Sequence, residues 1–292
     1  MVIGFIGQGW IGKNYARDFE NRGFTVTRYS KEPEYIDNKE DVRGCHVVFI
    51  AVPTPTTPEG FDSSIVAEAI SLVGKGNIAV IKSTVLPGVT LSLQRQFPDV
   101  YVMHSPEFLT EATAMYDAEN PKRNIVGIPY DTSEYMEKAQ LVLDILPRAP
   151  YEKICGSLEA EFIKYGRNVS GFVRVVLTNL LYDAVKESGG NWQTVRDAMI
   201  ADPDNGPTYM NPIHKTGRGA GGHCFIKDFA AFKKLYEAKV GDEIGNAVLD
   251  ALERKNIDLL VSTRKDLDLL EGVYGDAFTE KSHSNIHSYY SV

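Results

Sequence analysis

Val2-Ile3-Gly4-Phe5-Ile6-Gly7-Gln8-Gly9-Trp10-Ile11-Gly12 opens the chain. Five residues of strand character run straight into Gly-x-Gly-x-x-Gly, and a helix opens near Ile11. Glycines in this setting make a tight turn, let the backbone approach a pyrophosphate, and lead into a helix whose first N–H groups point at it. Gly7, Gly9, Trp10, Ile11 and Gly12 are therefore the candidate phosphate-binding residues. A second strand ends near Tyr29, where an acidic residue ordinarily holds the ribose hydroxyls of NAD. Ser30 stands there instead, with Arg28 and Lys31 beside it. Ser30 and Lys31 are read as cofactor contacts, with NAD preferred and NADP left open.

Outward from this loop, strand-like runs at Val2–Ile6, Thr25–Arg28, Val47–Val52, Ile78–Ile81 and Val100–Met103 alternate with polar or helical stretches. Such alternation predicts α/β crossover units and a Rossmann-type parallel sheet. Ile125–Ile128 and Tyr151–Ile154 flank a helical segment at Ser133–Leu146, so a dinucleotide-binding domain is expected over 1–155. No proline interrupts Ser157–Ser188, and Gly189-Gly190 stops the pattern, which predicts one long connecting helix within 156–190. A second, all-helical substrate and dimerisation domain is expected over 191–274. Its helices are read at Asn191–Ile200, Asp228–Lys239, Gly241–Lys255 and Ile257–Leu270, with an irregular Asp202–Gly222. A polar tail is expected over 275–292.

The 292 residues are 43% hydrophobic and 24% charged, which is ordinary globular usage. A formal charge of −8 opposes attraction to nucleic acid or an anionic membrane. Cys45, Cys155 and Cys224 are too few and too scattered for a disulfide framework. With no signal-type segment and no apolar run of membrane-spanning length, the expected location is the cytoplasm. His214, His223 and Cys224 lack zinc spacing, and no metal is expected.

Five further motifs follow in order: Val52-Pro53-Thr54-Pro55-Thr56, Lys82-Ser83-Thr84-Val85, Pro106-Glu107-Phe108-Leu109, Pro121-Lys122-Arg123 and Gly219-Ala220-Gly221-Gly222-His223-Cys224-Phe225-Ile226-Lys227-Asp228. Together they resemble the UDP-glucose/GDP-mannose dehydrogenase family from residue 1 to about 260. The resemblance implies oxidation of the primary alcohol of a nucleotide sugar to a carboxylate by two NAD molecules, through a covalent thiohemiacetal and thioester. It implies Cys224 as nucleophile, Lys164 and Asn168 as catalytic groups of the long helix, Asp228 as the acidic partner, and Thr84 and Glu107 as the pair that handles water. It extends the cofactor surface to Val52, Pro53, Thr54, Thr84 and Lys227. It places Phe108, Leu109, Lys164, Asn168, Gly219, Gly221 and Gly222 along the substrate. It also implies a homodimer, and a short form without the family's C-terminal nucleotide-binding domain.

The chemistry suits these residue types. Glu161, Lys164 and Asn168 fall at i, i+3 and i+7, on one helix face. A lysine and an amide can donate to an oxygen that gains charge as hydride leaves. A thiol retains an aldehyde that would otherwise hydrate and escape, and the thioester formed next is open to water. Asp228 is read either as a proton acceptor or as the cap of a helix starting beside it. Two departures stand out. Asp202-Pro203 is followed by Asp204 where the family has an arginine, unless Lys215 or Arg218 replaces it, and Asn179-Leu180 stands where it has Asn-Glu. Two alternatives remain at this point: a small hydroxy-acid dehydrogenase, which leaves Cys224 without a role, and a truncated non-catalytic nucleotide-binding sensor.

Overall fold

The structure is a computed structural model that describes residues 1–275. The expected polar tail lies, apart from Gly275, outside the described residues. In chain order the first elements are β1 (Val2–Ile6), α1 (Trp10–Asn21), β2 (Thr25–Tyr29), β3 (Val47–Ile50), β4 (Thr56–Thr57), β5 (Gly60–Phe61), α2 (Ser64–Ser71), β6 (Ile78–Ile81), α3 (Val89–Gln96) and β7 (Tyr101–His104). Then come α4 (Ala114–Glu119), β8 (Asn124–Ile128), α5 (Ser133–Ile145), β9 (Glu152–Gly156) and α6 (Ser157–Glu187). The rest are α7 (Trp192–Ala201), β10 (Ile213–His214), β11 (Gly217–Arg218), α8 (Gly222–Lys239), α9 (Glu243–Ser262) and α10 (Leu267–Tyr274). Two compact units result: Met1–Pro55 with Asp62–Lys164, and Thr56–Phe61 with Tyr165 onward.

The first unit is a seven-stranded sheet in the order β2-β1-β3-β6-β7-β8-β9. The five strands from β2 to β7 are mutually parallel, as the alternation predicts. β8 meets β7 antiparallel through the single pairing of His104 with Gly127, and β9 runs parallel to β8. The reversal follows from a β7–β8 connection that contains only one short α-helix, too little for a crossover. The inner strands β3 and β6 are apolar and wholly buried, as strands covered on both faces must be. Phe5 stacks on Phe49 at 5.1 Å and meets Phe19 of α1 edge-on at 5.3 Å, tying the first helix to the sheet. Gly7, Ala51, Lys82 and Ser105 each follow the last residue of their strand. All four therefore emerge at the carboxyl edge of the parallel strands, where such sheets bind ligands.

In the second unit Phe172 of α6 stacks on Phe229 of α8 at 3.8 Å, within a core that includes Val175, Val176 and Ala220. A second cluster joins Ile226, Leu260 and Leu270. The β4–β5 hairpin belongs to this unit and packs on α8 and α10, where the Lys234 ammonium donates to the Pro58 carbonyl at 2.9 Å. Asn191 and Asp242 cap α7 and α9 by accepting from Thr194 N and Gly245 N.

α6 has 31 residues, about 46 Å at the standard rise, and matches the expected Ser157–Ser188 closely. Three local readings are corrected. α8 begins at Gly222, not near Asp228, because the Gly222 N–H donates to Asp266, a partner 44 residues away that no local pattern reveals. The two helices expected at Gly241–Lys255 and Ile257–Leu270 are one helix to Ser262, followed after a break by α10. The break falls where Arg264 and Asp266 adopt left-handed backbone. Asp202–Gly222 is not wholly irregular, since it holds the β10–β11 hairpin.

Candidate functional site

The phosphate loop is built by close packing. Gly7 has φ +90°, and a Cβ there would lie 2.2 Å from the Ala51 carbonyl oxygen. At Gly12 a Cβ would lie 1.8 Å from the Gly7 carbonyl oxygen, so α1 rests directly on the turn. At Gly9 a Cβ would meet nothing within 4 Å, which leaves open space at the head of α1. That helix start carries no side-chain cap and no acidic residue in its first turn, so an anion meets unopposed N–H groups. This cradle fits a dinucleotide pyrophosphate. Trp10 is exposed beside it, and Ile11 packs partly against the core.

Beyond β2, Ser30 Oγ accepts from Glu32 N at 3.2 Å. Arg28 is engaged by both oxygens of Glu20, at 2.8 and 2.6 Å, and the exposed Lys31 faces Glu68 at 3.4 Å. Both cations that leave NADP open in the sequence are therefore already paired with carboxylates. Ser83 locks the loop after β3 to the loop after β6: its hydroxyl accepts from Val52 N at 3.0 Å and donates to Val52 O at 2.7 Å. Pro53 and the buried Thr54 follow Val52, and the half-buried Thr84 follows Ser83.

Still in the first unit, Glu107 sits on the turn after β7 and Lys164 on the early part of α6. Lys164 Nζ donates to both the main-chain oxygen and Oε1 of Glu107, each at 2.7 Å, while Leu109 N donates to Oε2 at 2.7 Å. Both side chains are buried, at 4% and 9% exposure. The Phe108 ring lies under Arg123 at 3.8 Å and Lys164 at 5.7 Å, a geometry suited to cation–π attraction. Leu109 turns partly onto the sheet core. Glu161, which shares the face of Lys164, is not part of this cluster. Its carboxylate accepts from Gly88 N, Thr90 N and Thr90 Oγ1 at 2.6 to 2.8 Å and so closes the start of α3. Burial raises its pKa, and those hydrogen bonds hold it down.

In the second unit Asn168 Nδ2 donates to Asp228 Oδ2 at 2.7 Å, and both groups are buried. Lys227 Nζ bonds the other carboxylate oxygen at 2.6 Å, so Asp228 lies between an amide and an ammonium. Asp228 is inside α8, which rules out the helix-capping role considered for it. Cys224 is exposed in the first turn of that helix, not in the loop before it. Helix N-termini favour thiolates.

The glycine-rich loop owes much of its composition to packing. A Cβ at Gly219 would crowd Leu260, Asn256 and Leu259, and one at Gly221 would lie 1.9 Å from Asp266 Oδ2. Only Gly222 of the three expected substrate glycines faces open space. Asn256 accepts from Ala220 N at 2.6 Å and donates to Ala220 O at 3.0 Å, and Lys265 Nζ donates to Gly219 O at 2.8 Å. Arg218, considered as a substitute for the missing arginine, is occupied by Asn179 and Asp183 of α6 at 2.8 and 2.6 Å.

Two buried groups on this edge of the sheet carry no role in the sequence reading, although Lys82 opens one of the quoted motifs. Lys82 Nζ lies 4.4 Å from the centroid of the Tyr15 ring and donates to Ser105 Oγ at 3.1 Å. His104 Nε2 bonds the Ser83 carbonyl at 3.3 Å, and its Nδ1 has no partner among the described residues. Burial pushes the histidine pKa down to about 3. The motif marks Lys82 but not its burial, which comes from the sheet and α1 around it.

Residues 34–142 match the NAD binding domain of the UDP-glucose/GDP-mannose dehydrogenase family, and residues 158–256 match that family's central domain. The cofactor assigned to the first unit is accordingly NAD. The UDP-glucose 6-dehydrogenase of Streptococcus pneumoniae is 30% identical over 232 residues, which cover 75% of this chain and 55% of that protein. The chain thus spans about half the length of the curated relatives it matches. A UDP-glucose dehydrogenase structure from Pyrobaculum islandicum superposes with a TM-score of 0.75 at 26% identity, covering 88% of this chain and 68% of that one. The 3-hydroxyisobutyrate dehydrogenase of Mycobacterium tuberculosis, at 14% identity and a TM-score of 0.68, covers 94% of this chain and 98% of its own, and shares the fold alone. No helix among the described residues is long and apolar enough to cross a membrane. With matches to two of its domains that together span well over half of the sequence, the chain belongs to the UDP-glucose/GDP-mannose dehydrogenase family.

Proposed function

We propose that this chain is a nucleotide-sugar 6-dehydrogenase, which oxidises the carbon-6 alcohol of a nucleotide sugar such as UDP-glucose to the uronate. The observation that carries the reading is that α6 holds Lys164 and Asn168 on successive turns, both buried and each fastened to a carboxylate, Glu107 and Asp228. The name of the S. pneumoniae relative points the same way.

Two NAD molecules, bound in turn, would each supply an electrophilic carbon for one of the two hydrides lost from carbon 6. The turn at Gly7, Gly9 and Gly12 would hold a cofactor pyrophosphate at the head of α1, with Val52–Thr54 and Thr84 as further contacts. Lys164 and Asn168 donate to the substrate oxygen as it becomes negative. The Cys224 thiolate adds to the aldehyde carbon, the oxygen takes a proton, and a thiohemiacetal forms. Its oxidation gives a thioester. Glu107 takes a proton from water, with Thr84 as hydrogen-bond partner; the hydroxide attacks the thioester carbon and the thiolate leaves. The sum is alcohol plus two NAD plus water giving carboxylate, two reduced cofactors and three protons. Asp228 holds Asn168 and accepts a proton, and Phe108 and Leu109 contact the sugar.

A panel of nucleotide sugars, followed by nicotinamide absorbance and product analysis, tests this. Two reduced cofactors per carboxylate are expected. Cys224→Ser stops at the aldehyde stage, and a Cys224→Ser protein forming acid at the native rate overturns the covalent step. One reduced cofactor per product points to a simple alcohol dehydrogenase, and binding without reduction to a sensor. The active form is proposed to be a homodimer that uses the exposed Leu177, Leu180 and Leu181 of α6, which a monomeric mass by sedimentation overturns.

A further inference from the structure

The Glu107–Lys164 pair has a second lysine beside it. Lys82, directly after β6, is 3% exposed, with its ammonium 4.4 Å from the Tyr15 ring centroid, 6.0 Å from that of Phe49, and hydrogen-bonded to Ser105. Burying an ammonium against two aromatic faces and a single hydroxyl is costly, and an apolar side chain would fill that space more cheaply. What the lysine gains is position. Ser105 starts the turn that carries Glu107, and Lys164 holds the next part of that turn through the Glu107 main-chain oxygen and carboxylate. Two lysines thus grip one turn at two points.

The charges around Lys82 are few. Tyr15 faces it from α1, its phenol pushed up by burial and by Glu107, Asp18 and Asp117. His104 faces it from β7 as a neutral ring. Glu107 and Lys164 complete the set. Burial lowers the Lys82 pKa to about 7, against the pull of Glu107 and with the push of Lys164.

We propose that Lys82 is a positioning residue for the Glu107–Lys164 pair: through Ser105 it fixes the turn whose main-chain oxygen and carboxylate, at Glu107, Lys164 holds. The inference rests on the dehydrogenase reading for its effect on turnover, and on geometry alone for its effect on Lys164.

The test uses the full chain labelled with ¹³Cε-lysine, titrated by NMR, beside kcat and KM for NAD reduction. One lysine resonance titrating near pH 7 is expected, absent from Lys82→Met, with the Lys164 resonance displaced in chemical shift in that variant. Lys82→Met and Ser105→Ala each lower kcat several-fold with KM for NAD held, and Lys82→Arg restores kcat. If Lys82→Met does not fold, Lys82→Arg and Ser105→Ala carry the test. A folded Lys82→Met protein with native kcat and an unmoved Lys164 resonance overturns the proposal. If the wild-type chain reduces NAD with no nucleotide sugar, the dehydrogenase reading fails on its own, and the NMR titration alone decides whether Lys82 acts on Lys164.

Discussion

From one ammonium, Lys164 reaches both the main-chain oxygen and the carboxylate of Glu107, so the side chain fixes the turn and the charge of its partner together. Cutting such a buried pair from one side leaves an uncompensated ion, which typically costs about 3–5 kcal/mol. Lys164→Met is therefore expected to lose about that much in urea unfolding and about 10²–10³ in kcat. Glu107→Gln keeps the main-chain contact and a polar side chain, and loses clearly less stability. Equal losses in the two variants contradict the assigned geometry.

The three glycines of the phosphate loop separate into structural and binding roles. Gly12→Ala drives a methyl onto the Gly7 carbonyl and is expected to unfold the first unit, read as loss of the cooperative thermal transition. Gly9→Ala meets no protein atom, so the melting temperature holds while NAD affinity falls by about tenfold or more, roughly 1.4 kcal/mol. Calorimetric titration with NAD checks it, and unchanged affinity in Gly9→Ala removes the pyrophosphate from that position.

His104 makes the fold acid-sensitive. Its folded pKa, about 3, lies below the ordinary 6.5 because burial disfavours the cation. Between those values the unfolded chain binds the extra proton, so stability falls as pH falls, by up to about 1.4 kcal/mol per pH unit, and is full above 6.5. Urea midpoints from pH 4 to 7 should show this slope, flattened in His104→Gln. An identical slope in that variant excludes His104 as its source.

Glu161 is expected to matter for folding and not for chemistry. Glu161→Ala strands the buried Thr90 N–H, the half-buried Gly88 N–H and the Thr90 hydroxyl, worth about 2–4 kcal/mol together. The folded fraction should keep native kcat and KM, and a fall in kcat of tenfold or more would move Glu161 into the reacting cluster.

The sequence was legible wherever local pattern and structure coincide. The strand–glycine–helix opening, the apolar inner strands and the proline-free run of α6 each announce themselves over a few neighbouring residues. Tertiary contacts hid the rest. The start of α8 depends on Asp266, the continuity of α9 runs through a buried Asn256 that reads as a polar interruption, and the loop glycines answer to Leu260 and Asp266 as much as to any ligand. Glu161, Lys164 and Asn168 share a helix face by simple periodicity, yet their partners come from α3, the turn after β7 and α8. Spacing along one helix says which way side chains point and nothing of what meets them.

The six residues Thr56–Phe61 leave the first unit, fold with the second and return, so the polypeptide passes between the two units three times. A single cut after Lys164 would therefore deliver a helical fragment stripped of the hairpin that α8 and α10 pack against. Transplanting this helical region into another scaffold takes two grafts, one of them only six residues long.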